Sequence, residues 1–213
     1  MGCLVIRYKR IIKKLPIKII KRLKMITLFD YINKEFTVNG TKSSRIILFD
    51  IDDTLIHTTA KIGVTKNGKL LKRISNSEFN EYKLKPGESF DFEEFDDYQL
   101  LNNEKFTKYW DTLKREYNKG THIGILTARG DCDMIYNFFK GKNIEIKRNL
   151  IFAISDPKLK LTGSIAEKKS TIISNLSNIG YKTFIFFDDN ETNLKFAKSL
   201  ENKHKIKIIT VKV

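Results

Sequence analysis

The sequence predicts an α/β fold, a mostly parallel sheet with helices on both faces, and three observations carry that expectation. Short apolar runs that fit buried strands recur along the chain, among them Ile46-Ile47-Leu48-Phe49 and Phe184-Ile185-Phe186-Phe187. Segments with apolar residues at helical spacing alternate with most of them, the pattern of parallel strands joined by crossover helices. The length, 213 residues, suits one such domain with a full core and a small insertion rather than two independent domains.

Taken in order, residues 26–35 read as a short amphipathic helix and residues 45–50 as a core strand. The segments 61–66 and 69–74 flank Asn67-Gly68, a hairpin signal because both turn positions tolerate positive φ. This hairpin is expected to hang over the end of the first strand. Pro86-Gly87 marks a turn, and an acidic segment follows, Glu88 to Asp97, punctuated by Phe90, Phe92 and Phe95, whose mixed spacing fits no single element. Phe106, Tyr109, Trp110, Leu113 and Tyr117 predict an amphipathic helix over 104–119, ended by Gly120.

Beyond it, 122–126 is a second core strand, 132–140 a helix and 150–154 a third strand. Residues 166–178 are helical on Ile172, Ile173 and Leu176, with Gly180 as the stop. A strand at 184–187, a helix over 191–201 and a last strand at 206–211 complete the pattern. The domain expected is 25–213, with an insertion at about 58–103.

Charge is unevenly spread. Nine of the 40 Lys and Arg lie in residues 1–24, which contain no Asp or Glu, and the remaining 31 against 25 acidic residues leave +6 of the total +15. The high net charge therefore belongs largely to a terminal arm and does not mark the folded body as a nucleic-acid binder. The arm's apolar runs are too short to span a bilayer, and it lacks a secretory leader's apolar centre. It reads as a disordered arm or as a basic segment lying on anionic membrane or nucleic acid, and Met25 offers an alternative start. Cys3 and Cys132 stand far apart in no metal-ligand spacing, which suits a reducing, cytoplasmic compartment and excludes a disulfide framework or a zinc site.

The chemistry concentrates at strand ends. Asp50-Ile51-Asp52-Asp53-Thr54 follows the first apolar run directly, and carboxylates at the end of a buried strand are costly unless a hard cation offsets them. An EF-hand loop is ruled out, because the sixth position is not Gly and Lys61 stands where Glu is required. Thr127 in Leu126-Thr127-Ala128-Arg129, Lys169 at a helix start, and Asp188-Asp189 after 184–187 complete the set. Seen singly, Thr127 would be a satisfied core hydroxyl, Asp188-Asp189 a turn and helix cap, and Lys169 a solvated side chain. His57 and His122 read as structural, and Arg129 as either a substrate contact or a surface salt bridge.

In this order the four features resemble the haloacid dehalogenase superfamily of phosphatases, over roughly residues 45–212. The resemblance implies a three-layer Rossmann-like fold, a small cap after the first motif, and phosphomonoester hydrolysis dependent on Mg²⁺. It implies Asp50 as nucleophile and metal ligand, Asp52 as general acid and base with its main-chain carbonyl on the metal, Thr127 as a phosphoryl contact and Lys169 as the balancing charge. Asp188 and Asp189 would complete the metal set. Lys168 adjoins Lys169, and Lys169 is taken because Ile172, Ile173 and Leu176 then fall at the family's apolar offsets. Asn190 is expected to cap the next helix and Asn193 to support the acidic pair.

The insertion, with 60–64, 78–84 and 86–95, looks like a group of bacteriophage and viral members of the superfamily, which would place the chain in a host cytoplasm. A cap this small leaves the site partly open. The expected substrate is a small phosphorylated molecule such as a nucleotide; the alternatives are a polynucleotide 3′-phosphate end, or a non-catalytic binding protein of the same fold tethered by its arm.

Overall fold

The structure, a computed structural model, describes residues 44–213, so the basic arm over 1–24 and the helix expected over 26–35 lie outside the described residues. Strand β1, Arg45–Phe49, runs through the centre of a five-stranded sheet, and its last four residues are buried, as expected for a strand covered on both faces. The other strands are β7, Ile123–Thr127, β8, Ile151–Ala153, β9, Thr183–Asp188, and β10, Lys207–Lys212. Their order is β10-β9-β1-β7-β8, all parallel. Phe49 stands in register with Ile125 on one side and Phe187 on the other, which aligns the carboxyl ends of the three central strands.

From β1 the chain builds outward through β7 and β8, then returns to the opposite side for β9 and β10. The direction of winding therefore reverses between β1 and β9, the crevice where open α/β sheets bind ligands. Gly124 allows the tight pairing beside β1, because a Cβ there would meet Leu48 Cδ2 at 2.9 Å and the Leu150 carbonyl oxygen at 3.1 Å. The flanking helices are α3, Lys108–Asn118, α4, Cys132–Gly141, α5, Ile165–Asn178, α6, Glu191–Lys198, and α7, Leu200–His204.

Two of these depart from the sequence expectation. The helix expected over 104–119 starts at Lys108, because Thr107 caps it and also donates to the Thr54 carbonyl, while Lys105–Phe106 form a short strand, β6, paired with β2, Ile56–His57. The helix expected over 191–201 breaks at Ser199. There Lys198 Nζ donates to the Ile208 carbonyl and Glu201 Oε1 accepts from Ile208 N, so both flanking turns are tied to β10.

Everything between β2 and β6 is the insertion. Strands β3, Ile62–Lys66, and β4, Lys69–Ile74, form the hairpin, and its turn residues Asn67 and Gly68 have φ of 51° and 74°. The acidic segment supplies a third strand, β5, Glu88–Asp91, antiparallel to β3, so the hairpin is the larger part of a three-stranded sheet. Helix α1, Asn76–Glu81, and α2, Tyr98–Asn103, are capped by Ser75 and Asp97. Ala60, Ile62, Val64, Ile74 and Phe95 form its small core, with Phe79, Tyr82, Phe90 and Leu100 packed against it.

Candidate active site

Asp50 leaves β1 with its backbone N–H donating to the Phe187 carbonyl at 3.0 Å, which fixes it beside the end of β9. The loop beyond turns sharply, since the backbone N–H groups of Thr54, Leu55 and Ile56 all point to the Ile51 carbonyl and Asp53 takes φ of 55°. Ile51 and Leu55 are fully buried and anchor the turn in the core. Asp53 Oδ1 accepts from Thr58 N and its Oδ2 from Asn76 Nδ2, so this third carboxylate ties the loop to the insertion, in keeping with a turn role.

Helix α5 delivers Lys169. Ser164 and Glu167 close a capping box at its start, which occupies the helix N-terminus and leaves the compact charge of Lys169 as the cation at the cluster. Lys169 is only 1 % exposed, and its Nζ stands 2.7 Å from Asp188 Oδ2 and 3.2 Å from Asp50 Oδ1. Lys168 is half-buried and makes neither contact. Asp188 is fully buried; its Oδ1 also accepts from Asn190 N and Asn193 Nδ2, and Asn190 caps α6.

Asp50, Asp188 and Asp189 each offer a carboxylate oxygen within 4.8 Å of the others, a set that fits a metal ion. Fully ionised, these three against one ammonium leave a local charge of about −2, the complement of a divalent cation. Burial holds the Asp50 carboxyl well above the usual carboxylate range; Lys169 opposes that shift, while Asp188, Asp189 and Asp52 reinforce it. Asp189 is pushed up to about 6 by burial and by Asp188, against the pull of Lys169. In Lys169 the charges of Asp50 and Asp188 outweigh a burial penalty that alone would lower its pKa, so the ammonium form is favoured.

The sign of the pH effect follows. A carboxyl whose folded pKa is raised from 3.8 to about 6 contributes stability that is present below pH 3.8 and lost as pH rises to about 6. Metal binding requires the deprotonated form, so Mg²⁺ affinity measured calorimetrically is expected to climb between about pH 5 and about pH 7 and then level off. A flat profile would contradict the raised pKa.

The Asp52 carboxylate lies outside the acidic triad. Arg129, 3 % exposed, grips it with Nε to Oδ2 at 2.9 Å and Nη2 to Oδ1 at 2.7 Å. The same guanidinium donates through Nη1 to the Phe95 carbonyl at 2.5 Å, and its Cζ lies 5.3 Å from the Phe95 ring. Arg129 is therefore neither a surface salt bridge nor a free arm: it is a buried clamp joining the insertion to the residue expected to move protons. Its place two residues beyond Thr127, at the end of a core strand, is the signal the sequence carries for it.

Replacing Arg129 by Leu leaves the Asp52 carboxylate without its partner and is expected to cost about 3 kcal/mol in urea unfolding. The same substitution in an Asp52→Asn background should cost clearly less; equal costs would show that the pair is not coupled.

Thr127 ends β7 fully buried, its Oγ1 accepting from Arg129 N at 3.4 Å, one residue behind the cavity wall formed by Ala128 to Gly130. His57 is exposed on β2. His122 Nδ1 meets the Tyr181 hydroxyl at 2.9 Å at the amino end of β7, away from the acidic cluster, and burial lowers its pKa. Cys132 donates to the Ile151 carbonyl, and burial raises its thiol pKa, so it is not an activated nucleophile.

A cavity of about 840 Å³ is lined by Asp50, Asp52, Asp189 and Lys169 together with Phe79, Phe92 and Phe95 of the insertion. No helix among the described residues is long and apolar enough to cross a membrane. No protein-family model matches the chain, and no curated protein matches it.

Proposed function

We propose that the chain is a Mg²⁺-dependent phosphomonoester hydrolase of the haloacid dehalogenase type, acting through an aspartyl-phosphate on Asp50. The observation that carries this reading is the bridge of one buried ammonium, Lys169, between Asp50 and Asp188 at adjacent strand ends, with Asp189 beside them on the cavity floor.

An Asp50 carboxylate oxygen attacks phosphorus, the ester P–O bond breaks, and the departing alkoxide takes a proton from Asp52. Asp52 then removes a proton from water as that water attacks the phosphoryl group, which breaks the acyl-phosphate bond and frees Asp50. Arg129 occupies both Asp52 oxygens, so one of its two contacts opens when Asp52 carries the proton it gives up. Lys169 offsets the charge of nucleophile and phosphoryl group. Bound Mg²⁺, held by Asp50, Asp188 and Asp189, would neutralise phosphoryl charge and so let a carboxylate approach the ester.

A non-catalytic binding role is disfavoured, because a structural protein gains nothing from two buried carboxylates on a single ammonium with a third, half-buried one beside them. The decisive assay is hydrolysis of p-nitrophenyl phosphate by the native chain with and without Mg²⁺. Turnover that appears with the metal and vanishes with a chelator is expected. Its absence under both conditions would remove the catalytic reading.

A further inference from the structure

The cavity, about 840 Å³, is much larger than a phosphoryl group requires, and part of its wall is aromatic. Phe79, Phe92 and Phe95, all from the insertion, line the same hollow as Asp50 and Lys169. Phe92 packs edge-on to Phe79 at 5.6 Å and to Phe95 at 6.2 Å, yet it remains 43 % exposed, although the insertion has a core of its own in which to bury it. An aromatic cluster left partly wet inside a cavity is a surface ready to cover a flat ring. Asp96, an acceptor-only carboxylate, lines the cavity beside it.

The surrounding charge selects among phosphate esters. Asp96 is the acidic residue of the acidic segment that lines the cavity, Glu94 being paired with Arg73, and its carboxylate repels the continuous phosphate backbone of a polynucleotide while tolerating one phosphate held at Lys169. The volume, about 840 Å³, accommodates a ligand of mononucleotide size, whereas a short aliphatic ester would leave Phe92 in water. We infer that the Phe79–Phe92–Phe95 wall binds the base of a nucleoside monophosphate, with Asp96 accepting from ring N–H or amino groups and the phosphate reaching Asp50. Only the phosphate end of this inference rests on the phosphatase reading.

The test compares the common nucleoside monophosphates, ribose 5-phosphate and a 3′-phosphorylated oligonucleotide, in the native chain and in Phe92→Leu, which keeps apolar bulk but removes the ring. Phosphate release with Mg²⁺ gives kcat/KM, and calorimetry on Asp50→Asn, with and without Phe92→Leu, gives binding in the absence of turnover. The expected result is a preference for at least one nucleoside monophosphate over ribose 5-phosphate that Phe92→Leu reduces at least about fivefold in both readouts. Turnover with no such preference overturns the wall while leaving the phosphatase reading intact. Ring-dependent nucleotide binding without turnover of any ester supports the wall and removes the phosphatase reading. A higher kcat/KM for the oligonucleotide than for every mononucleotide overturns the choice of occupant.

Discussion

Asp50→Asn is expected to lower kcat for a phosphate ester by at least about 10⁴-fold, the scale seen when a covalent nucleophile is removed from a site whose other parts remain. Asn has nearly the shape of Asp but cannot form an acyl phosphate, and it withdraws one charge from the metal set. The same change should make the metal-free protein more stable. Burial and the neighbouring Asp188, Asp189 and Asp52 disfavour the Asp50 anion, and Lys169 keeps Asp188 as a partner when that anion is gone. Loss of turnover together with a raised thermal midpoint in chelator therefore separates a chemical defect from a folding defect. Turnover within tenfold of the native chain would contradict the assignment of Asp50.

Lys169→Met should produce the largest loss of stability of any substitution at the site, about 4 kcal/mol in urea unfolding. Methionine fills much of the same volume, so the cost is mainly electrostatic. The fully buried Asp188 loses its 2.7 Å partner and Asp50 its 3.2 Å one, leaving like charges facing each other without compensation. Saturating Mg²⁺ should restore part of the loss, because a cation in the Asp50, Asp188 and Asp189 set replaces the missing charge. An unchanged urea midpoint would mean that Lys169 is not the counter-charge the geometry makes it.

The chain announces some of this architecture and hides the rest, for physical reasons. Asp50, Asp188 and Asp189 were legible because each ends an apolar run, and a strand buried on both faces writes its boundary plainly. Lys169 was legible only by register, since Lys168 is chemically identical and only burial separates them. The place of Arg129 just beyond β7 marked it as a site residue, but its contacts were not legible: its partner Asp52 is 77 residues away, and its other contact is a main-chain carbonyl, which carries no residue signature.

Strand β5 escaped notice because none of its four residues is buried, and its pairing with β3 is set by a neighbour rather than by its own pattern. The start of α3 was displaced by the pairing of β2 with β6, a contact across the whole insertion that local helix periodicity cannot register. The aromatic wall was visible as residues but not as a wall. Phe79, Phe92 and Phe95 share no single period, and only the fold of the insertion brings them to one cavity.

The claim at the centre of this account is that Asp50 becomes phosphorylated. Rapid acid quenching of the native chain during Mg²⁺-dependent ester turnover, followed by borohydride reduction and peptide mass spectrometry, reads that event directly. The expected result is a reduced acyl phosphate at Asp50 and at no other carboxylate, absent when Mg²⁺ is chelated. Sustained turnover with Asp50 unmodified, or with the label on Asp52 or Asp189, would contradict it.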